Sequence, residues 1–162
     1  MASSNAYRKL KWNGSSKMDG DHLLNQFERE LASLDSVPDQ LVREKLEYLV
    51  GAPMTYRGYR LAYYGMFSLM RQCGATKQDE RFREAVYRKV TKMLEEEPDP
   101  TDSMAATHQT DYATSLLSHF MSPPVPKEPA SRLRAAAQKF YERVGKEDAF
   151  LKRFMDSDLL EK

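Results

Sequence analysis

Apolar side chains recur at intervals of three and four along most of this chain, the period of a helix with one buried face. The richest stretch is Thr55–Gly74. There Tyr56, Tyr59, Tyr63, Met66, Phe67 and Met70 share a face, while Leu61, Tyr64 and Leu69 carry apolar surface round the sides. A helix apolar over so much of its circumference packs among others, and at about 1.5 Å per residue it spans roughly 30 Å. This predicts a central helix ended by Gly74. Gly58 and Gly65 lie seven positions apart on nearly one face. The favoured reading is close approach of a neighbouring helix; the other is backbone access for a ligand.

The flanking pattern predicts further helices. Leu24, Phe27, Leu31 and Leu34 form the stripe of a first helix starting near Asp19 or Asp21. Ser36 is the expected cap of a second, with Pro38 in its first turn, Val42, Leu46, Leu49 and Val50 inward, and Gly51 and Pro53 as its stop. Thr76, with Asp79 three positions on, predicts a capping box opening a helix whose stripe is Phe82, Ala85, Val86, Val90, Met93 and Leu94. The run Glu95-Glu96-Glu97-Pro98-Asp99-Pro100 then reads as a solvated linker, because carboxylates oppose the dipole at a helix C-terminus. Thr101 or Ser103 caps a fifth helix to about Met121, weakly apolar in its first half. Four prolines from Pro123 to Pro129 predict an extended strap over 122–130. Ser131 is the expected cap of a sixth helix, and a short last helix carries Phe150, Leu151, Phe154, Met155 and Leu159. The expected fold is all-α: a single compact bundle-like domain of six or seven helices over 20–162, behind a flexible basic tail over 1–19.

With 162 residues, 41% apolar and 30% charged, the chain fits one soluble domain, and its formal net charge of +1 creates no global field for nucleic acid or membrane. No apolar run reaches the length of a membrane span. One cysteine, Cys73, excludes an internal disulfide and suits a reducing compartment. An intracellular site, cytoplasmic or nuclear, is therefore expected. The acid-free, serine-bearing first 18 residues also resemble a mitochondrial transit peptide, although a plain basic tail is favoured.

Candidate chemistry is sparse. His22, His108 and His119 are too scattered for a metal site, and no phosphate loop, nucleophile elbow, calcium loop or DNA-binding signature occurs. Neither a cofactor nor a catalytic residue is expected. No known family's motifs can be carried across residue by residue. The strongest constellation is basic and aromatic. From Tyr56 to Lys92 nine bases face three acids, interleaved with tyrosines, so Arg57, Arg60, Arg81, Arg88, Lys89 and Lys92 are candidate RNA contacts. The competing reading makes the tyrosines core and the bases a solvated face.

Two other features suit a protein partner. Trp12 is a large ring in the basic tail, read first as docking back on the body and second as an anchor for a partner, and Phe150, Leu151, Phe154 and Met155 crowd a helix too short to hold its shape alone. The expectation is thus a non-enzymatic adaptor or assembly subunit that binds another protein or itself. RNA binding is the alternative, and an enzyme with an unrecognised site the third.

Overall fold

The computed structural model describes residues 19–120 and 126–144, together with Lys152, Met155 and Asp156. The tail, the start of the proline strap and most of the last helix lie outside them. Six helices and no strand occur among the described residues: α1 Asp19–Ala32, α2 Asp39–Val50, α3 Tyr56–Cys73, α4 Glu80–Glu95, α5 Ala105–His119 and α6 Lys127–Val144. The chain divides into two compact units, Met1–Ala85 and Val86–Lys162, and the boundary falls inside α4.

In the first unit α3 packs on both α1 and α2. Its buried side combines large and very small residues: Gly58, Leu61, Ala62, Gly65, Met66 and Leu69. Phe27 and Leu31 of α1 and Val42, Leu46 and Leu49 of α2 are buried with it. Gly65 permits the approach of α2, since a β-carbon there would stand 2.7 Å from Leu49 Cδ2. Gly58 meets a different neighbour: a β-carbon would overlap the carbonyl oxygen of Pro53, in the loop that enters α3. Close packing therefore explains both glycines, although only Gly65 faces another helix. Polar contacts fix the α1–α3 register, with Ser68 Oγ donating to Glu28 Oε2 at 3.0 Å and Gln72 Nε2 to the Leu34 carbonyl at 3.3 Å.

The helix ends differ from expectation in instructive ways. The Thr55 hydroxyl accepts from the Gly58 N–H at 3.2 Å, and Gly74 closes α3 at φ 70° in the left-handed region that favours glycine. Pro38 rather than Ser36 precedes α2, with no side-chain cap. Thr76 opens a turn, not a helix. Asp79 is the cap of α4, its carboxylate accepting from the Arg81 N–H at 2.9 Å. A cap needs only a short acceptor with extended backbone, and here two candidates three positions apart compete.

In the second unit Val90, Met93 and Leu94 of α4 are buried, as are Ala113, Leu116 and Leu117 of α5 and Leu133, Ala136, Ala137 and Phe140 of α6. Two C-terminal carbonyls of α4, those of Met93 and Leu94, accept from side chains, as does Glu96 just beyond. Gln109 Nε2 donates to Met93 O at 3.0 Å and Glu96 O at 2.8 Å, and Arg143 donates to Leu94 O at 2.5 Å. The first half of α5 is therefore neither irregular nor wholly exposed, because it carries Gln109 at 1% exposure. Residues 127–130, expected in the strap, are helical instead. α6 already begins at Lys127, with Pro129 in the first turn, where a missing N–H removes no helical bond, and Ser131 inside the helix donates to Lys127 O.

Candidate interaction surface

The packed side of α3 also takes in Tyr59 and Ser68, and six positions of the first three turns lie outside it. These are Tyr56, Arg57, Arg60, Tyr63, Tyr64 and Phe67, at spacings that follow one face of the helix. Tyr56 and Tyr64 are 39% and 42% exposed. Tyr63 and Phe67, expected in the core, are only half-buried, which corrects the sequence reading. Counting tyrosine as simply apolar blurred the two sides of this helix. The glycine and alanine spacing at Gly58, Ala62 and Gly65 was the signal that separates them.

The strip has internal order. The Arg60 guanidinium lies 5.7 Å from the Tyr56 ring centroid and 5.2 Å from that of Tyr64, one helical turn to either side, and Arg57 lies 5.9 Å from Tyr56. Tyr63 meets both Tyr64 and Phe67 edge-on at 5.0 Å, and burial beside Tyr64 raises the pKa of its hydroxyl. From Thr55 to Gln78 the sequence holds Arg57, Arg60, Arg71 and Lys77 and no acid. Arg57 and Arg60 stand at the positive end of the α3 dipole, a position that disfavours cations. Ring faces lie against both guanidiniums and offset part of that cost.

The other expected bases are differently employed. Arg57, Arg60 and Arg81 belong to the first unit, and Arg88, Lys89 and Lys92 to the second. Arg81 donates to Asp79 from both NH2 at 2.7 Å and Nε at 3.0 Å, and its NH1 reaches Asp39 Oδ1 at 3.0 Å. Arg43 meets the other oxygen of Asp39 at 2.9 Å. These bonds hold both carboxyls below the usual carboxylate range, with Arg43 the larger influence on Asp39 and Arg81 on Asp79. Arg83 is 2% exposed and paired with Glu80 at 3.2 Å. Lys89 is fully buried, and desolvation pushes its ammonium down to about 7, against the opposing pull of Glu96. It does not reach a surface where a phosphate could meet it, which corrects its assignment as an RNA contact. Arg88 is half-buried; Lys92 is exposed.

The residues expected to contact a partner near the C-terminus are only partly described. Met155 is 8% exposed, and its carbonyl accepts from Arg134 Nε of α6 at 3.1 Å. Beside it a cleft of about 660 Å³ is lined by Arg134, Gln138, Tyr141 and Lys152 among others. Trp12, Phe150, Leu151 and Phe154 lie outside the described residues. Lys45 is buried as well: it is 1% exposed, its Nζ 5.6 Å from the Phe27 ring centroid, and Phe27 in turn stacks on Tyr48 at 6.2 Å. Burial lowers Lys45 to about 8, opposed by Glu30 and Glu44, and burial raises Tyr48.

The loop after α4 is acidic and shaped. Glu95, Glu96 and Glu97 are exposed, and Asp99 to Asp102 form a turn closed by the Asp102 N–H donating to Asp99 O at 3.1 Å. Asp99 Oδ1 accepts from the Thr101 N–H at 2.9 Å and hydroxyl at 2.7 Å, which lowers its pKa.

Among the described residues no group of three or more His, Cys, Asp and Glu side chains could hold a metal ion, and no helix is long and apolar enough to cross a membrane. Comparison with protein families, with characterised proteins and with solved structures finds no match to this chain.

Proposed function

We propose that this protein is a non-enzymatic interaction module, an adaptor or assembly subunit, that docks a protein partner on the outer strip of α3. The observation that carries the reading is the pair Tyr56 and Tyr64, the most exposed aromatic residues of α3, flanking the guanidinium of Arg60. Tyrosine and arginine are the residue types enriched where protein interfaces concentrate their binding energy, because both offer broad, stiff surface and directed hydrogen bonds. RNA is the weaker reading. The α4 half of its basic face contains an arginine committed to Asp39 and Asp79 and a lysine with no surface. The compartment proposed for such a module is intracellular.

The test is affinity purification from the native source with wild type and with Arg60→Glu/Tyr64→Ala, read by mass spectrometry and by RNA sequencing. Stoichiometric proteins present with wild type and lost from the variant support the reading. RNA lost in their place supports the alternative, and an unchanged set of captured molecules overturns both for this surface.

A further inference from the structure

We infer that the partner of the α3 strip is the acidic turn that follows α4 in a second copy of this chain. This rests on the docking role given to the strip above, and it names the occupant. The argument is charge complementarity between two oppositely charged elements of one sequence, an exposed acidic one and a basic one in which Arg71 and Lys77 are exposed and Arg57 and Arg60 half-buried. On one side Arg57, Arg60, Arg71 and Lys77 lie in a stretch without a single acid. On the other, Glu95, Glu96, Glu97, Asp99 and Asp102 occupy eight positions without a single base. The two segments balance to within one charge, and the chain as a whole is +1, so long-range repulsion between copies is negligible.

Shape supports the same pairing. The acidic turn is already ordered, with Asp99 held by Thr101 and by the Asp102 N–H, and Asp102 Oδ1 accepting from the Met104 N–H at 2.9 Å. An ordered turn loses less freedom on docking than a loose acidic tail. It also presents Pro100 exposed between carboxylates, an apolar ring suited to the exposed faces of Tyr56 and Tyr64 while the acids reach the guanidinium edges. Guanidiniums stacked on rings keep their N–H edges in the plane, where a carboxylate approaches. Since the two patches differ, the contact is head-to-tail. It closes into a pair where both contacts form reciprocally, and otherwise continues into longer assemblies.

Complementary charge reversal tests this on the full chain, by sedimentation velocity over concentrations up to the millimolar range. Wild type should self-associate, with an affinity weakened about tenfold between about 0.05 M and about 0.5 M salt. Arg57→Glu/Arg60→Glu and Glu95→Lys/Glu96→Lys/Glu97→Lys should each be monomeric under all these conditions, with helical circular dichroism and melting close to wild type. Mixing the two variants should restore association, because each supplies the charge the other lacks. Wild type that stays monomeric at low salt, or variants that associate as wild type does, would overturn the inference. So would a mixture that remains monomeric. Monomeric wild type whose strip variant still loses proteins in the purification removes the self-contact and leaves the docking role standing. Loss of neither removes both.

Discussion

At the scale of single residues, the two glycines of α3 make opposite predictions from one sequence signal. Gly58→Ala places a methyl group into the Pro53 carbonyl, which is backbone and cannot turn aside, so the loop or the helix start must move. A loss of roughly 2 to 4 kcal/mol in denaturant unfolding is expected, in line with overpacking at a tightly closed site. Gly65→Ala meets only the methyl ends of Leu49, which can rotate, and it recovers up to about 1 kcal/mol of helix propensity. The net change there should lie within about 1 kcal/mol of zero. Buried lysines give the pH dependence. Lys89 holds its proton to about 7 when folded, against an ordinary 10.5, and Lys45 to about 8. The unfolded chain binds more protons between those values, so stability rises with pH from about 7 to about 10. Above about 10 the sign reverses at Tyr48, whose neutral form the fold favours. Melting temperature should therefore climb by several degrees to a maximum near pH 10 and then fall, and Lys89→Met should flatten most of the climb. None of this was legible in the sequence. A lysine next to Arg88 and three positions from Lys92 reads as a wet face, and only the packing of α4 reveals that Lys89 is inside.

At the scale of elements, the sequence specified the helices well and their ends less well. The α4 stripe from Phe82 to Leu94 is fully buried as its spacing requires, and Gly74 stops α3 where expected. Those signals depend on repeated apolar contacts, which no local alternative can mimic. Ser36, Thr76 and Ser131 failed as caps because short polar residues also suit turns and exposed helix positions, so one residue type serves several conformations. The α3 surface was half-legible: its residues were singled out, but their inward and outward sides were merged. The C-terminus of α4 offers a test of one long-range feature that periodicity could not reveal. Gln109→Ala leaves the Met93 carbonyl without its side-chain donor and Glu96 with only the longer bond from Arg143 at 3.4 Å, and a loss of about 1 to 3 kcal/mol is expected from thermal or denaturant unfolding. Gln109→Glu, which cannot donate, should do no better than alanine at neutral pH. Deleting residues 147–162 removes Met155 and its bond to Arg134, so the melting temperature should fall; an unchanged melt with lost association would place that segment's role on a partner instead.

At the scale of the whole molecule, the division into Met1–Ala85 and Val86–Lys162 falls within an unbroken helix rather than in a linker. Ordinary domain boundaries lie in exposed connecting segments, where one side can open without disturbing the other. Here the backbone ladder of α4 runs through the division, so the amides of residues 86–89 depend on hydrogen bonds whose two ends lie in different units. In native-state hydrogen exchange those amides should be released only by openings that fray the shared helix, and they should exchange at least as slowly as the less protected unit's core. Two separate protection plateaus, with residues 86–89 exchanging faster than either, would mean that the ladder breaks there first. A fray within residues 86–89 of α4 thus belongs to neither unit alone.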